Sequence, residues 1–180
     1  SGGATGTANP VSVTINGNTA VTANYTQDEY TLTITSAHGT VTRSPDQATY
    51  HYGDVVQLTA AADMGWTFAS WSGGATGTAN PVSVTINGNT AITANYTQNE
   101  YTLTITSAHG TVTQSPNQAA YHYGDIVQLT VTPDPAWRFT GWSGDASGDD
   151  NPLSITITGN MSVTANYAEY LKTYIPLIFK

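Results

Sequence analysis

The residues of this 180-residue chain whose types could carry chemistry are few, and most of them occur twice. Histidine stands in Ala37-His38-Gly39 and in Tyr50-His51-Tyr52, and again 71 residues later as His109 and His122. Two imidazoles per copy raise the question of a metal, but no Cys or carboxylate completes the spacing of a structural zinc site. A turn histidine and a loop histidine are expected instead. Trp66, Phe68 and Trp71, copied as Trp137, Phe139 and Trp142, could present flat rings to sugars. The same rings each bury a large apolar area, which a small domain needs inside, so they are assigned to the core. The loop Gly144–Asn151 carries Asp145, Asp149 and Asp150 where its counterpart Gly73–Asn80 is neutral. Crowded oxygens on a loop suit Ca²⁺, although the spacing is not that of an EF-hand and one copy alone has the charges. Calcium is thus the one cofactor the sequence raises. Lysine is confined to Lys172 and Lys180, so no Lys–Asn isopeptide bond can form inside a repeat. Asn24-Tyr25-Thr26, Asn95-Tyr96-Thr97 and Asn160-Met161-Ser162 match the N-glycan acceptor pattern. No Ser-His-Asp, Cys-His or paired-carboxylate arrangement recurs, and no enzymatic activity is expected.

The elements that would position these residues are themselves repeated, and the repeat governs the reading. Ser1–Gln27 recurs as Ser72–Gln98 with one change, Val21 against Ile92. EYTLTITSAHGTV begins at Glu29 and at Glu100, and Asn-Pro stands at 9, 80 and 151. Every offset is 71 residues. The chain divides into the C-terminal half of a repeat (1–28), two complete repeats (29–99 and 100–168) and an apolar tail (169–180). Duplication this close preserves a shape and a length, which a catalytic site does not require.

Strand signals fill each copy. Tyr30, Leu32 and Ile34 alternate with Thr, and Ser36-Ala37-His38-Gly39 followed by Thr40-Val41-Thr42 predicts a hairpin. The stretch 44–52 is irregular, with room for one helical turn over 46–52. Val56, Leu58 and Ala60 alternate with Val55, Gln57 and Thr59; Trp66 to Trp71 forms an aromatic strand. Val82, Val84 and Ile86 lead to Asn87-Gly88-Asn89, a turn of the kind that permits positive φ, and Ile92, Ala94 and Tyr96 close the copy. The prediction is all-β: tandem small β-rich beads of five or six strands, grasp-like or sandwich-like.

The ordered anchors Tyr30-x-Leu32-x-Ile34, Tyr50-x-x-Gly53-Asp54-x-Val56-x-Leu58, Gly65-Trp66-x-Phe68-x-x-Trp71 and Tyr96 return 71 residues later. As a series they resemble the divergent internalin-B-type B-repeat of bacterial surface and secreted proteins. One departure is Asp134-Pro135-Ala136-Trp137, which lacks the Gly before Trp. The resemblance implies compact β-rich beads strung in arrays outside the cell, with spacing, adhesion or interaction as their work.

Composition narrows the partners. Four Lys and Arg against twelve Asp and Glu give a net charge of −8, the wrong sign for nucleic acid or an anionic membrane surface. Charged residues are only 9 % of the chain while Thr fills 32 positions, and Cys is absent. No apolar run reaches the length of a membrane span. The chain opens in mid-repeat and reads as a piece of something longer, on a bacterial cell surface or outside it. Its half repeat is expected to keep two strands, Val11–Ile15 and Thr19–Tyr25, and would leave Val11, Val13, Ile15, Val21 and Tyr25 uncovered. Its tail offers Tyr174, Ile175, Leu177, Ile178 and Phe179 as a spare strand. An open edge and a spare strand suggest a head-to-tail homopolymer built by strand addition. The alternatives are a passive spacer or stalk of a larger surface protein, and an adhesin binding surface glycans or a host.

Overall fold

The computed structural model describes residues 3–170. Among them there is no helix and there are twelve strands, six in each complete repeat. The first bead has β1 (Leu32–Ser36), β2 (Gly39–Ser44), β3 (Val55–Ala62), β4 (Trp66–Gly73), β5 (Val82–Thr85) and β6 (Thr90–Gln98). The second has β7 (Leu103–Ser107), β8 (Gly110–Ser115), β9 (Ile126–Pro133), β10 (Trp137–Gly144), β11 (Leu153–Thr156) and β12 (Met161–Glu169). The last strand therefore runs one residue into the segment assigned to the tail.

Each bead is a pair of three-stranded sheets, ordered β1-β6-β4 and β2-β3-β5 in the first, with the same arrangement in the second. The central β6 lies parallel to β1 and antiparallel to β4; β3 is antiparallel to both its neighbours. Period-2 patterning decides what faces inward. Along β3, Val56, Leu58 and Ala60 are buried while Val55, Gln57 and Thr59 point to solvent. They meet Leu32, Trp71, Val84, Ile92 and Ala94 from both sheets in one core, which the second bead repeats around Val127, Leu129, Trp142 and Val163. Of the two expected shapes this is the sandwich, and residues 46–52 hold no helical turn.

Three local expectations are corrected. The predicted hairpin over 32–42 is an arch: β1 and β2 sit in different sheets, β1 against β6 and β2 against β3. Ser36 Oγ donates to the Gly39 carbonyl at 2.6 Å and meets the Tyr96 hydroxyl at 2.9 Å, holding the chain turned between the sheets. The Asn87-Gly88-Asn89 turn has no positive φ and also crosses between sheets. It is shaped by side chains, with Thr90 Oγ1 donating to the Gly88 carbonyl and Asn89 Oδ1 accepting from the Thr31 amide. Third, residues 11–15 and 19–25, expected as strands, form none. The same sequence at 82–96 supplies β5 and β6, which belong to different sheets and so cannot pair with each other. Without copies of β3, β1 and β4 to lie against, neither segment has a ladder to join.

Candidate functional site

His38 lies flat on Trp66, with ring centroids 3.6 Å apart and planes 3° from parallel. His109 covers Trp137 at 3.5 Å and 3°. The turn that follows β3 sets this up: the Asp63 amide donates to the His38 carbonyl, and the Trp66 amide donates to the Asp63 carbonyl, both at 3.0 Å. The turn histidine is thus also a lid on a half-buried indole. Trp71 and Trp142 are buried, as expected of core residues, and each indole N–H donates to a loop carbonyl, Ala79 at 2.8 Å and Asp150 at 2.9 Å. His51 behaves as a loop histidine whose amide donates to Asp54 Oδ2 at 2.8 Å, and His122 repeats this with Asp125.

Two positions that sequence reasoning missed organise each bead. Tyr50, within the stretch taken as irregular, is fully buried. Its hydroxyl donates to the Pro45 carbonyl at 2.8 Å and accepts from the Gln47 amide at 3.2 Å. Its backbone exchanges two hydrogen bonds with Tyr30. Asn80, of the repeated Asn-Pro pair, presents its side-chain amide to the backbone of Ala60 and satisfies both the N–H and the C=O, at 2.9 and 2.8 Å. Asn151 does the same for Val131. The recurrence of Tyr50 and Tyr121 at the repeat offset was the available signal; no alternation marks them as core.

The acidic loop does not draw its carboxylates together. Asp145 Oδ2 accepts the Ser162 amide at 2.7 Å, fastening the loop to the start of β12, while Asp150 contributes its backbone carbonyl to Trp142. Among the described residues no three His, Cys, Asp or Glu side chains are grouped to hold a metal. At the corner where β1 and β2 part, a shallow concavity has Ile34 and Val41 in its lining and Arg43 and Asp46 at its rim. The Asp46 hydrogen bond and charge hold the Arg43 pKa above the ordinary arginine value. The second bead places Gln114 and Asn117 there, joined at 2.7 Å. An ion pair and a neutral amide pair thus serve the same corner, which argues for architecture over recognition of a charged ligand.

Between the beads, the Met64–Gly65 turn of the first faces Tyr123 of the second. The Tyr123 hydroxyl donates to Met64 Sδ at 3.2 Å, and its Cβ sits where a side chain on Gly65 would have to go, 2.5 Å from an ideal Cβ. The connecting Asn99 is tied back to the same turn. Its amide donates to the Gly65 carbonyl at 2.8 Å, and its side chain accepts from Thr67 and reaches the Tyr101 hydroxyl.

The sequence model of the divergent InlB B-repeat domain matches residues 30–100 and again 101–170. The chain belongs to this B-repeat family. A search of curated proteins and a search of solved structures give no match. Each B-repeat match opens on the tyrosine, Tyr30 or Tyr101, that bridges to Tyr50 or Tyr121, so the family boundary coincides with the closure of the bead. Of the proposed interface set, Val11, Ile15, Val21 and Tyr25 are exposed and Val13 is half-buried. Tyr174, Ile175, Leu177, Ile178 and Phe179 lie outside the described residues. Among the described residues no helix is long and apolar enough to cross a membrane.

Proposed function

We propose that the chain is an extracellular structural protein of a bacterial surface, a spacer or stalk in which B-repeats stack end to end, with no catalytic role. The observation that carries this reading is the joint itself: the Met64–Gly65 turn at one pole of the first B-repeat receives Tyr123 from the opposite pole of the next. Poles that differ and mate make a linear array, each repeat touching only its neighbours. Small-angle X-ray scattering tests it. Duplicating residues 29–99 within the chain should lengthen the particle by one bead along a single axis, and an unchanged maximum dimension would refute a stacked spacer.

A second reading rests on a separate observation. Residues 11–25 repeat the sequence that at 82–96 supplies the edge strand β5 and the central strand β6, yet here Val11, Ile15, Val21 and Tyr25 face solvent. A strand from another copy could cover them, making the chain a filament subunit assembled head to tail by strand addition. Residues 170–180 are the segment proposed to donate it. Electron microscopy of the purified chain with and without residues 170–180 decides: filaments that vanish on truncation support this reading, and dispersed short rods in both samples return the protein to the spacer reading. Glycan binding is the weaker proposal, because Trp71 and Trp142 are buried and Trp66 and Trp137 each carry a histidine on one face.

A further inference from the structure

The pentapeptide Tyr-His-Tyr-Gly-Asp stands at 50–54 and at 121–125, yet its second tyrosine is 69 % exposed in the first copy and 40 % in the second. Tyr123 has the Met64–Gly65 turn against it; among the described residues Tyr52 has no such turn. We infer that Tyr52 is the seat for a Met-Gly turn of another copy of this repeat, and that the corresponding turn of the second bead, Pro135–Ala136, is closed to a further copy. The inference rests on the stacked-array reading and adds a direction to it.

Two features close the second turn. Gly65 and Ala136 share a left-handed backbone, φ 80° and 73°, so Ala136 puts a methyl at the position that at Gly65 must stay empty. A tyrosine seated as Tyr123 is would bring its Cβ to 2.5 Å from that methyl, a separation that real Cβ contacts do not adopt and that close packing cannot absorb without moving the backbone. Pro135 replaces Met64, so the thioether that accepts the Tyr123 hydroxyl is also gone. The change is confined to the receiving face. The Ala136 carbonyl still accepts the Tyr170 amide at 2.8 Å, as Gly65 does for Asn99, and the Trp137 amide still donates to Asp134. The turn is intact and only its capacity to receive a tyrosine is lost. Repeats that end an array differ from internal ones on the outward face, and Ala136 is such a difference. Growth of the stack is therefore one-sided, with copies added before Tyr52 and none seated on Ala136. Assembly of whole chains, if it occurs, must use another contact, such as strand addition.

Tyrosine nitration mapped by mass spectrometry tests both halves. A copy of residues 29–71 placed ahead of Ser1 completes the half repeat into a bead preceding Tyr52. With Met-Gly in the added turn, Tyr52 nitration should fall to the level of Tyr123; with Pro-Ala there, it should stay as in the 180-residue chain. In that chain, Gly65→Ala should raise Tyr123 nitration to the Tyr52 level, and Ala136 demonstrates that the turn itself tolerates alanine. Tyr52 unprotected by the Met-Gly copy, equal protection by both copies, or Tyr123 unmoved by Gly65→Ala would each overturn the inference. Scattering on the extended chains separates the two claims: a longer particle with Tyr52 unprotected refutes the joint and leaves the spacer standing.

Discussion

Tyr50 and Asn80 each remove a polar burden that a bead this small could not otherwise carry. Burying a tyrosine is favourable only if its hydroxyl finds partners, and the Pro45 carbonyl and Gln47 amide supply them. Tyr50→Phe keeps the ring and strands those partners, so it should cost about 1 kcal/mol in urea denaturation. Tyr50→Ala should cost about 3–5 kcal/mol, comparable to the whole stability of a domain of this size. Asn80 acts as a side-chain substitute for a neighbouring strand, satisfying the Ala60 backbone where the sheet ladder offers no partner. Asn80→Ala leaves a donor and an acceptor unpaired and should cost roughly 2–3 kcal/mol. Legibility at this scale followed periodicity. Val56, Leu58, Val84, Ile86 and Ile92 announce themselves by alternation, and Trp71 by size. Tyr50 and Asn80 lie in turns, where no period operates and only the hydrogen-bond partner, fixed by the fold, reveals the role.

Strand positions were readable, but strand partners were not. Alternation states which side of a strand faces inward and is silent on its neighbour, and consecutive strands pair often enough that 32–42 reads as a hairpin. The fold instead pairs Leu32 with Thr90 across nearly the whole repeat, because the arch at Gly39 sends β2 to the opposite sheet. Gly39 is required there by space: a Cβ would lie 2.4 Å from the Ala61 carbonyl oxygen and 2.7 Å from the Tyr96 ring. Gly53 is required for a different reason, a φ of 88° with nothing within 4 Å of the would-be Cβ. The two should therefore separate in equilibrium denaturation. Gly53→Ala should cost about 1 kcal/mol, the conformational term alone, and Gly39→Ala about 2–3 kcal/mol, since carbonyl and ring must both shift. Equal losses would mean that the arch is looser than its contacts indicate. The same arch logic explains why residues 11–15 and 19–25 form no strand: their partners in a whole bead all come from residues that precede them in the repeat.

Over the whole chain, stability divides at Asn99. The two cores share no residue, and the side chains that cross between beads are chiefly Met64, Tyr123 and the Asn99–Tyr101 pair. That junction was not legible in the sequence, because a contact between copies leaves no periodic trace; the missing glycine at Ala136 was visible, and its meaning was not. In a repeat array, stability is a sum of terms for each unit and for each joint, and a joint of one hydroxyl–thioether contact and one turn contributes little beside a core. Unfolding one bead should then leave the other standing. Tyr121→Ala removes the largest fully buried side chain of the second core and should cost about 3–5 kcal/mol there. Limited proteolysis of the full chain should map new cleavage sites to residues 100–169 while 30–98 stay protected. The first bead should change at Met64, which loses its partner, and Tyr50 should remain inaccessible. Cleavage spread over both beads would show instead that they fold as one cooperative unit, and the slender joint would have to be reinforced by contacts beyond Met64, Gly65 and Asn99.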